Sequence, residues 1–280
     1  MPYIVNRSSS TANAATKTMI PLDGPVREGV GLLGSPPFEI PRSVDRDSRF
    51  DHLRTGEEFR RRLHAKNRYN LRTMALYLVH SCLNIGALAL CVTAALAFYD
   101  TDADVLTAAL FAAATLVPAA LYVLAERAVM GFRRLQPTFC SIYDPYFWRI
   151  ERMWKFTART YLRMLDGTPF KSLLWRALGV RFGRRVFDDG CDIADRTLAT
   201  VGDDCVLNAG STIQCHSQED GTYKSDRTTL GAGCTLGVGT FVHYGVTMGE
   251  GAVLVADSFL MKGEEVPAGA RWGGNPAREM

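Results

Sequence analysis

The sequence contains few of the residues that bind metals or cross-link chains. Five histidines and seven cysteines occur in 280 residues, and no two cysteines have the Cys-x-x-Cys spacing. That spacing is typical of zinc sites and redox motifs, and an odd cysteine count does not fit a closed disulfide framework. We therefore expect a reducing compartment, no disulfide bonds and no bound metal.

The first 73 residues lack a long apolar run, so we expect no cleavable secretory signal. Two uncharged segments follow, residues 74–99 and 105–125, with 26 and 21 residues. At 1.5 Å per residue each is long enough to cross roughly 30 Å of hydrocarbon. Only a short acidic segment, residues 100–104, separates them. The sequence therefore predicts a transmembrane helical hairpin.

Basic residues flank the two apolar segments on the side away from this acidic turn. By the positive-inside rule, both chain ends face the cytoplasm, and we expect a multi-pass protein of the cell (inner) membrane. The flanking basic residues are Arg60, Arg61, Arg62, Lys66, Arg68, Arg72, Arg127, Arg133 and Arg134. His80 and Asn84 interrupt the first segment, either for hydrogen bonding between helices or as part of a polar path.

Charge is distributed unevenly along the chain. Residues 1–185 carry 26 basic and 15 acidic side chains, whereas residues 186–280 carry 6 and 14. Because the basic charge accompanies the apolar segments, it indicates contact with the lipid bilayer. The acidic charge of the C-terminal part excludes a basic nucleic-acid-binding domain.

The last third of the sequence repeats with a period of six residues. This period fits neither an α-helix nor a flat strand and is typical of a β-solenoid. The sequence predicts a mainly β fold, a left-handed parallel β-helix with three hexads per coil. The predicted inward positions are Phe187, Ile193, Val201, Leu207, Ile213, Leu230, Leu236, Val242, Met248, Leu254, Leu260, Val266 and Trp272.

Residues 146–165, between the apolar segments and the solenoid, have the pattern of an amphipathic helix. Phe147, Ile150 and Trp154 share one face, and Arg149 and Arg152 share another. Two interpretations remain open, a helix in the membrane interface or an ordinary packed linker helix. Either one holds the solenoid near the inner leaflet.

The six-residue period is interrupted by an insertion at residues 219–229, and His216 stands at its base. Loops on a rigid scaffold often carry function. Imidazole is suited to proton transfer near neutral pH, so His216 is the predicted catalytic base. Cys215 is a second candidate, as a nucleophile, but no neighbouring group is expected to activate its thiol.

His243 is predicted to lie one coil away from His216, because three hexads separate Ile213 from Val242 once the insertion is removed. Adjacent coils are about 4.8 Å apart, so both imidazoles are expected to reach one substrate. Two histidines without a third ligand make a poor zinc site, and we expect no metal there.

Three acidic residues, Glu219, Asp220 and Asp226, lie within the insertion. Their carboxylates are expected to attract a cationic substrate. One of the carboxylates near the insertion is also a candidate for orienting the imidazole of His216, as the third member of a triad does.

A recognisable set of motifs is formed by His216, the insertion, Gly-Val-Thr at residues 245–247 and Gly-Gly-Asn-Pro-Ala at residues 273–277. With this set, residues 202–277 resemble the hexapeptide-repeat acyltransferases of the maltose and galactoside acetyltransferase type. The resemblance implies that His216 is the catalytic base and that the chain forms a homotrimer. His243 matches no catalytic position of that family.

A second set of motifs covers residues 22–41, Arg-Phe-Asp-His-Leu-Arg at 49–54, Thr-Pro-Phe-Lys at 168–171 and Gln-Cys-His-Ser-Gln-Glu-Asp-Gly at 214–221. Here the chain is similar to the C-terminal membrane and acyltransferase-like region of ε-poly-L-lysine synthetase-type non-ribosomal peptide synthetases. The resemblance implies adenylation and carrier domains as partners. It also implies an acyl donor presented as a phosphopantetheine thioester, or as CoA, with no cofactor held tightly. Nothing in the sequence resembles an adenylation or carrier domain.

Together these patterns predict five segments. They are the tail of a preceding β-helix domain (residues 1–46), a basic juxtamembrane segment (47–73), the transmembrane hairpin (74–130), an interfacial amphipathic linker (131–185) and the acyltransferase-like left-handed β-helix (186–280). The predicted function is a membrane-anchored transferase that joins a thioester-bound amino acid, lysyl by the resemblance, to an amine. Two alternatives stay open, an acetyl-CoA-dependent O- or N-acetyltransferase and a non-catalytic trimerising scaffold of a synthetase.

Overall fold

The computed structural model describes residues 48–99, 104–156 and 159–280, together with the backbone of three short strands nearer the N terminus. These strands are β1 (Asn13–Ala14), β2 (Gly31–Leu33) and β3 (Phe38–Glu39). β2 pairs in parallel with β1 and antiparallel with β3. The rest of the predicted tail of a preceding β-helix lies outside the described residues, as does most of the acidic turn at 100–104.

Two long helices follow, α1 (Gly56–Phe98) and α2 (Asp104–Val129), and they pack against each other. Both are long and apolar enough to cross a membrane, and much of their apolar surface is exposed. Asn84 donates a hydrogen bond to the backbone oxygen of His80 in the same helix, at 2.9 Å. Nδ2 of Asn84 also lies 3.0 Å from Nε2 of His80, and the His80 ring packs edge-on against Tyr122 of α2 with 4.6 Å between centroids.

Shorter elements connect these helices to the solenoid, namely β4 (Thr138–Ser141), α3 (Pro145–Lys155), α4 (Arg159–Met164) and α5 (Pro169–Leu178). Asp144 caps α3 by accepting a hydrogen bond from the N–H of Tyr146 at 2.7 Å. The apolar face of α3 is buried in the core through Phe147, Ile150 and Met153. This burial fits the interpretation of a packed linker helix, and the interfacial position of the linker stays a prediction.

The long helices also contact the rest of the protein through ion pairs. Glu126 of α2 pairs with Arg196 of the solenoid at 3.1 Å, and both side chains are buried. Lys66 of α1 pairs with Glu151 of α3 at 3.3 Å. The long helices therefore contact the solenoid directly through Glu126 and contact the linker through Lys66.

The C-terminal part is a left-handed parallel β-helix, as the six-residue period predicts. Its short strands stack coil upon coil in three parallel sheets, with Ile213 aligned between Ile193 and Val242. One sheet contains β5 (Arg181–Phe182), β8 (Ala199–Val201), β13 (Thr228–Leu230), β16 (Thr247–Met248) and β19 (Glu265–Val266). The second contains β6 (Phe187–Asp188), β9 (Val206–Leu207), β14 (Thr235–Leu236), β17 (Val253–Leu254), β20 (Arg271–Gly274) and an antiparallel closing strand, β21 (Ala277–Glu279). The third contains β7 (Asp192–Ile193), β10 (Thr212–Ile213), β15 (Phe241–Val242) and β18 (Phe259–Leu260).

The inward side chains of successive coils form one apolar column. Leu207, Leu236 and Leu254 follow one another in it and are fully buried. The coils stack closely at the corners, where a Cβ atom on Gly237 would clash with the backbone nitrogen of Ala256. Only glycine permits this spacing.

The predicted inward pattern is wrong at the first coil. Phe187 is 47% exposed, whereas the next residue, Asp188, is buried. The cause is α5, which closes this end of the solenoid and places Lys171 and Trp175 against Asp188. A polar side chain is needed inside the coil to bind these two donors. At the other end, Trp272 is only partly buried.

Candidate active site

The insertion forms a β-hairpin at one corner of the solenoid. Its strands, β11 (His216–Glu219) and β12 (Thr222–Ser225), pair antiparallel and turn at Asp220 and Gly221, which both have positive φ. β12 also pairs antiparallel with β4. The predicted loop is therefore a hairpin supported by the segment that precedes the solenoid.

His216, the first residue of this hairpin, is held by a buried carboxylate. Its Nδ1 atom lies 2.6 Å from Oδ2 of Asp195, whose side chain is fully buried. Because an ionised carboxylate only accepts hydrogen bonds, this contact favours a proton on Nδ1 and leaves Nε2 as an acceptor. The other oxygen of Asp195 accepts a hydrogen bond from Nε1 of Trp154 at 3.3 Å. This is the arrangement that prepares an imidazole for general base catalysis.

Two aromatic rings cover the imidazole of His216. Trp154 of α3 stacks on it with 4.5 Å between centroids and 28° between planes. Tyr223 of β12 lies at 5.7 Å with the same interplanar angle. The side chain of His216 remains 12% exposed, so the ring is both fixed and accessible. Trp154, predicted only as part of the apolar face of a helix, thus belongs to the wall of the site.

Sequence reasoning missed Asp195 and expected a carboxylate near the insertion to orient His216. Asp195 follows β7, in which Ile193 is aligned with Ile213 one coil further on. Asp195 comes two residues after Ile193, and His216 comes three residues after Ile213. Both residues therefore lie at the same corner of the solenoid. The signal was present in the hexad alignment, but Ala199 and Thr200 add two residues to the six-residue period between Ile193 and Val201 and obscure it.

The three predicted substrate-binding carboxylates lie in different surroundings. Glu219 ends β11 and forms an ion pair with Lys262 two coils further along the chain. Asp220 is exposed at the hairpin turn, and Asp226 is exposed at its base, where it accepts a hydrogen bond from the N–H of Arg227. The hairpin thus carries three acidic side chains together with the basic side chains of Lys224 and Arg227, and Glu219 is paired with Lys262.

His243 lies on the coil after that of His216, but at a different position. Val242 is aligned with Ile213, so His243 is the counterpart of Gln214, two residues before His216. Its Nδ1 atom accepts a hydrogen bond from the N–H of Tyr244 at 3.0 Å. Burial, with a smaller contribution from the charge of Lys262, lowers the pKa of His243 to about 4. At neutral pH this imidazole is therefore an uncharged hydrogen-bonding group.

This lowered pKa makes stability depend on pH. In the unfolded chain the imidazole of His243 has its ordinary pKa of 6.5, so the unfolded state binds a proton between pH 6.5 and 4 that the folded state does not. The contribution of His243 to the free energy of unfolding is therefore fully present above pH 6.5 and is lost as the pH falls towards 4. Between pH 6.5 and pH 4, we expect the free energy of unfolding of the wild type to fall further than that of His243→Asn. The expected difference between the two falls is about 3 kcal/mol.

Denaturant unfolding of the detergent-solubilised protein at several pH values measures this difference. Asparagine retains an acceptor for the Tyr244 N–H but does not titrate. Identical pH dependence in the two proteins would contradict the assignment to His243.

The alternative nucleophile Cys215 is fully buried, and burial raises the pKa of its thiol. A thiol that resists ionisation in this way is a poor nucleophile. Among the residues that the structure describes, no three His, Cys, Asp or Glu side chains are grouped to hold a metal ion.

The chain thus has the fold of a hexapeptide-repeat β-helix, with His216 and its partners at one corner. No protein-family model matches the chain. Its sequence is similar to that of delta-poly-L-ornithine synthetase from Acinetobacter baumannii (strain AB307-0294), with 30% identity over 148 residues, which are 51% of this chain and 11% of that protein. It is also similar to YvoF from Bacillus subtilis (strain 168), which is named as a candidate acetyltransferase, with 28% identity over 120 residues, 43% of this chain and 61% of that protein. The chain therefore spans less than two thirds of the length of either relative.

Solved structures with a similar β-helix include a hexapeptide-repeat-containing acetyltransferase from Vibrio cholerae O1 biovar eltor, complexed with acetyl coenzyme A. The identity is 17% and the TM-score 0.36, over 44% of this chain and 83% of that one. For a galactoside acetyltransferase in complex with coenzyme A, the identity is 19% and the TM-score 0.33, over 43% and 76% of the two chains. The resemblance to synthetases and to hexapeptide-repeat acyltransferases that the sequence predicts is confirmed by these similarities.

Proposed function

We propose that the chain is a membrane-anchored transferase that forms an amide bond between a thioester-bound basic amino acid, such as lysyl, and an amine. The observation that carries this proposal is the pair of His216 with the buried Asp195 at the base of the hairpin. The similarity to delta-poly-L-ornithine synthetase supports a synthetase as the setting. In this setting α1 and α2 cross the cell membrane, and both chain ends lie in the cytoplasm.

In the proposed reaction, Nε2 of His216 accepts a proton from the attacking amine. The amine nitrogen forms a bond to the thioester carbonyl carbon, the carbon–sulfur bond breaks, and the proton passes to the leaving thiolate. Asp195 stabilises the imidazolium that forms during this transfer. Since a lysine ammonium has a pKa of about 10.4, the site must also favour the neutral amine, which desolvation beside Trp154 and Tyr223 provides.

The hairpin carboxylates recruit the cationic substrate before this step. Asp220 and Asp226 are exposed next to the site, and Glu219 joins them when the cationic substrate replaces Lys262 as its partner. His243 offers an uncharged imidazole to the same substrate.

The thioester is brought by the phosphopantetheine arm of a carrier domain or by CoA, and neither donor is held tightly. The chain works with adenylation and carrier domains of a synthetase, as a homotrimer.

A second candidate, acetyl transfer from acetyl-CoA to a hydroxyl or amine, is favoured by the similarity to YvoF. Of the cations that the sequence offers to the CoA phosphates, Lys262 and Arg278 form ion pairs with Glu219 and Glu264. Arg271 is exposed and has no ion-pair partner among the described residues. It is therefore the cation that this candidate would use.

A product assay separates the two candidates. The protein is purified in detergent and incubated with lysine and either a lysyl-pantetheine thioester or acetyl-CoA, and the products are identified by mass spectrometry. Lysine oligomers that are absent with His216→Ala are the expected result. Acetyl-lysine would favour the second candidate, and the absence of product in every arm would contradict a catalytic function and favour the scaffold.

A further inference from the structure

A cavity of about 590 Å³ lies between α1 and α3. One side of it is apolar and is formed by Met74, Tyr77 and Leu78, which are 62%, 43% and 62% exposed. These residues begin the uncharged part of α1, directly after its last basic residue, Arg72. If α1 crosses a membrane, the cavity therefore lies at the level of the lipid headgroups.

The other side of the cavity is basic. The guanidinium of Arg152 is held in place, because its Nε donates a hydrogen bond to Thr73 at 2.8 Å and its carbon lies 3.8 Å from the centroid of the Tyr69 ring. Lys155 is exposed and has no ion-pair partner among the described residues. The carboxylate in the lining, Glu151, is balanced by Lys66. The cavity thus has a net positive charge at its polar end.

We propose that this cavity binds one anionic phospholipid. Its phosphate contacts Arg152 and Lys155, and its acyl chains lie along Met74, Tyr77 and Leu78. The apolar side of the cavity matches the acyl chains of such a lipid, and the basic side matches its phosphate. Basic residues at the cytoplasmic surface of a membrane also favour anionic headgroups. The inference rests on the membrane anchorage in the proposed function, but it does not depend on the proposed reaction.

The cavity also adjoins the candidate active site. Trp154 lines it and at the same time stacks on the imidazole of His216. A lipid in the cavity would contact the indole ring that covers the catalytic base. The bound lipid therefore supports the position of His216.

Native mass spectrometry of the full chain, extracted from membranes in detergent, tests the proposal. The protein is titrated with phosphatidylglycerol and with phosphatidylcholine of the same acyl chains. We expect one phosphatidylglycerol per chain, retained at least about fivefold more tightly than phosphatidylcholine. Lys155→Gln is expected to weaken this retention about fivefold, the effect of one basic residue at a membrane surface.

Arg149→Gln is the matched control, because Arg149 is exposed on the same helix and does not line the cavity. Its retention of phosphatidylglycerol should equal that of the wild type. Equal retention of the two lipids, equal losses in the two variants, or displacement of the lipid by coenzyme A would each overturn the proposal. Release of the protein from membranes by carbonate would overturn the anchorage itself, whatever the result of the product assay.

Discussion

Replacing His216 by alanine is expected to lower kcat by about 10²–10⁴-fold, the usual contribution of a positioned general base. The imidazole has a buried partner in Asp195 and an accessible edge, and no other histidine of the described residues has this combination. The measurement is single-turnover amide formation from a lysyl thioester. His64→Ala is the matched control, since His64 is an exposed histidine of α1, and it should keep wild-type kcat.

Asp195→Asn tests the positioning of the base separately from the base itself. An amide can donate a hydrogen bond to Nδ1, which moves the proton of the neutral imidazole to Nε2 and removes the acceptor. We expect kcat to fall about 10²-fold or more and the dependence of kcat on pH to change. The double variant should be no worse than His216→Ala, because the two residues act as one unit. Additive losses would contradict this coupling.

Replacing Asp188 by asparagine is expected to lower the free energy of unfolding by about 3–5 kcal/mol, the cost of breaking a buried ion pair. Its carboxylate accepts hydrogen bonds from Lys171 at 2.8 Å and from Nε1 of Trp175 at 2.7 Å. It also accepts backbone hydrogen bonds from Gly190 and Cys191. Burial lowers the pKa of Lys171, but its bonds to Asp166 and Asp188 outweigh burial and raise it overall, so the ammonium stays charged.

Denaturant unfolding in detergent measures this loss. Asp204→Asn is the control, because Asp204 makes an ion pair with Arg185 in which both side chains are exposed. Such pairs contribute about 0–1 kcal/mol. If the two variants were destabilised equally, the buried network would not be what closes the end of the solenoid.

The six-residue period was sufficient to predict the β-helix, because each coil repeats one simple requirement for an apolar residue inside and a small residue at the corner. The prediction fails at Phe187, where the coil meets α5 instead of another coil. There the interior must satisfy the polar atoms of Lys171 and Trp175, and Asp188 takes the inward position. A period describes contacts between repeats and carries no information on what covers the repeat at either end.

The candidate site was predictable only in part for a related reason. His216 could be found because it precedes a visible interruption of the repeat. Asp195 and Trp154 come from an earlier coil and from a helix outside the solenoid, and their contacts with His216 depend on how these parts pack. The alignment of Val242 with Ile213 was also predictable, but it places His243 opposite Gln214 and not opposite His216. The pattern also left the packing of α3 open, and the structure shows that one face of this helix is buried in the core.

The buried ion pair of Glu126 with Arg196 connects the second long helix directly to the coil that carries Asp195. In the proposed membrane setting, this contact restricts movement of the coil relative to α2. The imidazole of His216 is therefore held at a fixed distance from the bilayer and in a fixed orientation. A carrier domain that diffuses through the cytoplasm must bring its thioester to that fixed height. A partner anchored in the same bilayer would search for the site in two dimensions only, which raises the frequency of productive encounters without any tighter binding.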